Sequence, residues 1–146
     1  MRPGTLSAPL VAGFGAALSR LDPARYAAIG PLRNGLEQAL MPYAVINGGT
    51  AERLPHVSNL SFAGWTGERL VAALDVRGIC VSTGSACRVG TAEPSAAVTA
   101  MLGLERARGA VRISLGEDTT AAQVERAISI WIPLLTNRSS SASSGA

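Results

Sequence analysis

Short β-branched or alternating apolar segments recur along this chain, separated by stretches with helical spacing, and that alternation limits the fold to a small sheet covered by helices. Residues 43–47 are a β-branched run closed by Gly48 and Gly49. In 57–62, Val57, Leu60 and Phe62 are set loosely against polar positions before Gly64. Residues 79–82 follow Gly78 and read as a buried strand. Val111, Ile113 and Leu115 alternate with Arg112 and Ser114, which predicts a half-buried strand with the arginine on its polar face.

Helical spacing covers 9–21 and 32–41, punctuated by Asp22-Pro23 and Gly30-Pro31. Thr66 is placed to cap a helix over 67–75, with Glu68 in its first turn, and Pro94 suits the first position of a helix running to about Met101. Thr120 and Gln123 form a capping-box pattern ahead of an apolar stripe of Val124, Ala127, Ile128, Trp131 and Leu135. The expected architecture is an α+β domain over 1–136, a small antiparallel or mixed sheet covered by helices. The serine-rich stretch 137–146 reads as a disordered tail.

A length of 146 residues suits one domain. No apolar stretch approaches the roughly 20 residues a bilayer needs, and the N-terminus lacks the basic-then-apolar order of a signal peptide, so the expectation is a cytoplasmic protein without membrane contact. The basic balance, 13 against 10, is carried wholly by arginine, because the sequence contains no lysine. No side chain here forms a Schiff base. A net charge of +3, scattered arginines and 4% aromatics disfavour nucleic-acid binding.

Candidate chemistry is concentrated at a few residues. Cys80, among Gly78, Ile79 and Val81, reads as a small core hydrophobe. Cys87 sits in a Gly/Ser-rich loop beside Arg88, the setting that lowers a thiol pKa, and local features balance a nucleophile against an ordinary loop cysteine. Two thiols and the lone His56 are too few for a metal site, and none is expected. Arg112 is either a surface arginine or a fork for a substrate carboxylate. Gly4-Thr5, ahead of a helix, offers a hydroxyl and N–H groups to a phosphate. His56, Trp65 and Trp131 read as structural.

The stretch Ser82-Thr-Gly-Ser-Ala-Cys87-Arg-Val-Gly-Thr-Ala-Glu93-Pro94-Ser95 resembles the catalytic loop of the NifS/IscS-like cysteine desulfurases, class-V aminotransferase-fold enzymes dependent on pyridoxal phosphate. Three further stretches match in the same order: Arg2-Pro-Gly4-Thr5, Arg53-Leu-Pro55-His-Val-Ser-Asn59-Leu-Ser61-Phe62, and Arg108-Gly-Ala-Val-Arg112-Ile-Ser114-Leu-Gly116. The resemblance implies that Cys87 is the nucleophile that attacks the sulfur of cofactor-bound L-cysteine, leaving an enzyme persulfide and alanine. It implies that Arg112 binds the substrate α-carboxylate and that Thr5 reaches the cofactor phosphate of the neighbouring subunit in a homodimer. Asn59 and His56 fall in a structural motif of that family.

The resemblance is to the C-terminal small domain alone, with residues 1–30 as the segment returning from the large domain. The large domain carries the Schiff-base lysine and most cofactor ligands, so this chain by itself is expected to hold no pyridoxal phosphate and to be inactive. Implied partners are L-cysteine, the large domain and a sulfur-acceptor or scaffold protein. Competing readings are a noncatalytic interaction or sulfur-accepting domain, and part of a selenocysteine lyase or another class-V enzyme.

Overall fold

The structure, a computed structural model, describes residues 4, 6–84 and 93–137; Thr5, Cys87 and the tail from 138 onward lie outside the described residues. The helices are α1 (Ala8–Ser19), α2 (Pro23–Ala28), α3 (Gly30–Leu40), α4 (Gly67–Asp75), α5 (Ala96–Leu102), α6 (Leu104–Arg108) and α7 (Ala121–Thr136). The strands are β1 (Ala44–Ile46), β2 (Val57–Phe62), β3 (Ser82–Thr83) and β4 (Ala110–Ser114). They form one sheet in the order β1-β2-β4-β3, antiparallel throughout. The α+β expectation therefore holds, with an antiparallel rather than a mixed sheet.

Local chemistry sets the helix ends. Thr66 Oγ1 accepts from Arg69 N at the start of α4. At α7 the box is complete: Thr120 Oγ1 accepts from Gln123 N while Gln123 Oε1 accepts from Thr120 N. Each satisfies backbone donors that the first helical turn leaves open.

One face of the sheet carries Leu60, Phe62, Val111 and Ile113 and is covered by Leu36 and Leu40 of α3, Leu70 and Leu74 of α4, and Val124, Trp131 and Leu135 of α7. Trp131 is 1% exposed and stacks on Phe62 at 4.9 Å between ring centroids. Among the described residues the other face is covered at one end, where Val98 of α5 and Ala107 of α6 pack on Ala110, and is otherwise open.

The stretch 53–62 is pinned at its polar positions. Arg53 donates from Nη1 and Nη2 to the two carboxylate oxygens of buried Glu37, at 2.6 and 3.2 Å, and Ser58 Oγ donates to Glu37 Oε1 at 2.6 Å. Arg33 holds the same turn through the carbonyls of Leu54 and Val57. Burial pushes the Glu37 carboxyl up, but the hydrogen bonds from Arg53 and Ser58 and the charges of Arg53 and Arg33 outweigh it and hold the pKa below the ordinary value.

Several expectations are corrected. Residues 79–82 do not form a buried strand: β3 is only Ser82–Thr83, and Cys80 is exposed rather than a core hydrophobe. The preceding turn accounts for this, because Ile79 N donates back to Leu74 O and the chain joins the sheet edge only afterwards. Pro94 does not open a helix; Ser95 caps α5 through Val98 N. Gly103, at φ 87°, then breaks the chain into the separate α6. The helix read over 9–21 forms as α1, yet it buries no residue.

Candidate functional site

The register decides which side chains share the open face. Leu115 N donates to His56 O and Phe62 N donates to Gly109 O, so the hydrogen-bonded β2–β4 pairs fall at even-numbered β2 positions. Asn59 and Arg112 are therefore a non-hydrogen-bonded pair, the class in which opposed side chains stand closest on one face. On its other side Arg112 is opposite Ser82 of β3. Asn47, just past β1, continues the row beyond Asn59 through its backbone N–H to Asn59 O at 2.8 Å. A polar row thus runs across the open face as Asn47, Asn59, Arg112, Ser82.

Arg112 is exposed and its side chain makes no hydrogen bond or ion pair with the described residues. A guanidinium left without a partner in the middle of a sheet face is available to an anion. Its neighbours are tightly held. Arg106 of α6 donates from Nη2 to Asn47 Oδ1 at 2.8 Å and to Ile46 O at 3.2 Å. Asn47 Nδ2 donates to Asn59 Oδ1 at 2.6 Å and to Ser61 Oγ at 2.7 Å, and Ser61 Oγ donates to Arg106 O at 2.8 Å.

The stretch that bears Cys87 leaves and rejoins the fold at this row. Gly84, at φ +51°, follows β3, and a Cβ added there would lie 3.1 Å from the carbonyl of Glu93. The two ends of segment 85–92 therefore meet beside the strand that pairs with Arg112. The placement of Cys87 and Thr5 themselves falls outside the described residues.

Other candidates lie apart from the row. His56 packs its ring on Tyr26 at 4.7 Å, with Nδ1 buried and unpartnered, a structural position. Cys80 faces solvent beside a cavity of about 390 Å³ shared with Thr119, Gln123 and Arg126. A cavity of about 420 Å³ between Tyr43, Val45, Phe62 and Arg106 does not include Arg112. Among the described residues no cluster of three or more His, Cys, Asp or Glu is arranged to hold a metal ion, and no helix is long and apolar enough to cross a membrane. Sequence reasoning missed Asn47 and Arg106. Asn47 reads there only as the end of a strand, and no local signal marks Arg106, 59 positions further on, as its partner.

Residues 1–127 match the Aminotransferase class-V family. The cysteine desulfurase of Cereibacter sphaeroides is 38% identical over 138 residues, which is 92% of this chain and 36% of that protein. Cysteine desulfurase NifS of Azotobacter vinelandii is 35% identical over 134 residues, 87% of this chain and 33% of its own. The solved structure of a NifS-like protein from Rickettsia africae superposes with a TM-score of 0.61 at 26% identity, over 75% of this chain and 28% of the other. The chain thus spans about a third of the length of the curated relatives it matches.

Pyridoxal phosphate, the cofactor of such enzymes, does not fit the residues present. The 146 residues include no lysine, and among the described residues Arg112 stands on an open sheet face rather than in an enclosed pocket.

Proposed function

The chain belongs to the class-V aminotransferase family, and from that premise we propose that it supplies the small-domain part of a cysteine desulfurase. Arg112 holds the α-carboxylate of L-cysteine. Cys87 Sγ takes up the substrate sulfur as a persulfide, leaving alanine, and passes it to a protein acceptor. The large domain brings pyridoxal phosphate and its lysine, and Thr5 reaches the cofactor phosphate across a homodimer interface.

The observation that carries this reading is the pairing of Arg112 with Ser82 of β3, the strand that leads into the Cys87 segment. A carboxylate held at Arg112 puts the rest of the same amino acid beside that strand, in keeping with transfer to a thiol on the segment that follows. Apolar α1 fits the same picture. Leu10, Phe14 and Leu18 are 75%, 67% and 53% exposed, a surface suited to packing on further polypeptide.

The test is complementation. The chain is co-purified with the part of the Cereibacter sphaeroides relative that it does not cover, and alanine formed from L-cysteine is measured. Alanine is expected from the wild-type pair and not from Cys87→Ser. Undiminished alanine with Cys87→Ser, or none from a pair that binds the cofactor, overturns the assignment.

A further inference from the structure

We propose that Asn59 is a second donor in the carboxylate seat, its amide turned toward the ligand by a chain of hydrogen bonds that begins at Arg106. The proposal rests on the reading of Arg112 as the carboxylate binder and adds residues to it.

The argument is one of donor polarity. A guanidinium has only donors, so whichever amide atom faces Arg106 has to be an oxygen. Asn47 presents Oδ1 to Arg106 Nη2 at 2.8 Å, which directs Asn47 Nδ2 to the opposite side. That nitrogen spends its two N–H groups on Asn59 Oδ1 and Ser61 Oγ. Ser61 Oγ accepts there because its own proton goes to Arg106 O. Asn59 then has no choice of flip, because its oxygen is committed to Asn47 and its NH₂ faces away from it. The fixed charge on Arg106 sets the orientation of an amide two hydrogen bonds away.

What that NH₂ faces follows from the strand pairing. Asn59 is directly opposite Arg112 on the open face, in the closer class of antiparallel pair. Asn59 Nδ2 makes no hydrogen bond among the described residues, and it is not among the buried unpartnered atoms. It is therefore a solvent-reached donor beside a partner-free guanidinium. A carboxylate has two oxygens, and Arg112 with Asn59 offers donors from two strands. An acceptor in the place of the Asn59 NH₂ would repel the same ligand.

The test uses the full chain, ¹⁵N-labelled, titrated with L-alanine as carboxylate probe and with ethylamine as the same amine without the carboxylate. L-alanine is expected to move both the Arg112 Nε–H and the Asn59 Nδ2–H₂ resonances, and ethylamine neither. Asn59→Asp keeps the acceptor that Asn47 needs but replaces the donors with a charge that pairs with Arg112. It is expected to weaken L-alanine binding by about tenfold or more. Asn47→Asp leaves Asn59 in place and reverses the chain: the substituted carboxylate still takes Arg106, but it now presents an acceptor to Asn59, whose amide turns over and exposes Oδ1. Ser61 Oγ loses its donor as well, so thermal stability falls too; the expected result is a comparable loss of L-alanine binding in a protein whose ¹⁵N spectrum shows the fold retained and the Arg112 Nε–H in place, an outcome that a merely structural role for Asn59 does not give. If Arg112 responds while the Asn59 resonances stay fixed and both variants bind like wild type, the Asn59 proposal falls and the Arg112 reading stands. If neither resonance responds, both fall.

Discussion

Replacing Glu37 by Gln tests whether the 53–62 stretch is held to α3 by charge. Glu37 is 4% exposed and accepts from Arg53 Nη1, Arg53 Nη2 and Ser58 Oγ, with Arg33 Nε at 3.9 Å. Glutamine offers one oxygen, whose two lone pairs keep both contacts now made to Oε1 but as a neutral acceptor. Its NH₂ is turned toward Arg53 Nη2, donor against donor. One charge-assisted bond, worth about 1.5–3 kcal/mol, is lost and two fall to the strength of neutral bonds, about 0.5–1.5 kcal/mol each. The Arg53 side chain is 21% exposed and recovers part of this through water, which leaves an expected loss of about 2–3 kcal/mol. Urea unfolding followed by the fluorescence of buried Trp131 measures it. The acid limb supplies a second readout. Because the folded pKa of Glu37 lies below the ordinary 4.5, the unfolded chain binds more protons between the two values, and stability falls as pH drops through that window. The Gln variant has no such proton to gain, so the gap between the two proteins narrows from pH 5 downward. Equal midpoints at neutral pH, or parallel acid limbs, would refute the reasoning.

How much of this was legible in the sequence follows from how far apart the deciding groups lie. Thr66 and the Thr120–Gln123 box act within one helical turn, and both helices start where those residues indicate. The β2 and β4 patterns reflect a period of two that local sequence displays directly. Cys80 failed because burial of an apolar-looking tetrapeptide depends on whether the sheet extends over it, and β3 spans only Ser82–Thr83. The helix at α1 was legible, whereas apolar composition does not say what covers its exposed surface. Arg112 was legible as a polar position on a strand. Its neighbours were not, because the Arg106–Asn47 contact joins residues 59 apart and exists only once α6 lies over the sheet.

The same period of two organises the site. Along β2, Ser58, Leu60 and Phe62 face the helices while Asn59 and Ser61 face the open side. A slip of one residue would exchange the two sets, placing Leu60 in the polar row and Asn59 in the core. The Ser58–Glu37–Arg53 cluster penalises that slip, since it would strip a buried carboxylate of its hydroxyl donor. The structural cluster on one face thus fixes the register of the binding row on the other.

Two more measurements probe the strands that carry the row. A Cβ at Gly67, the first residue of α4, would meet Thr83 Oγ1 and lie 2.8 Å from Ala110 O, so Gly67→Ala is expected to cost about 1–3 kcal/mol in a thermal melt. Gly35→Ala, with open space around its Cβ in α3, serves as the control and is expected to gain a few tenths of a kcal/mol or more. Equal melting of the Gly67 variant and wild type would show that α4 does not abut β3 closely. Alkylation kinetics test the thiols. Cys80 is exposed, so slower labelling of Cys80 than of Cys87 at pH 7 is not attributable to burial and reports thiolate fraction. A cation beside a thiol favours the thiolate, and Arg88 is adjacent to Cys87 in sequence, so on the proposed reading the rate ratio is expected to be largest near pH 6–7. It should shrink above about pH 9, beyond the ordinary thiol range. Peptide mass spectrometry after timed iodoacetamide pulses separates the two sites. A ratio that stays constant with pH would assign the difference to access instead of charge, and equal rates throughout would remove the physical case for Cys87 as an activated nucleophile.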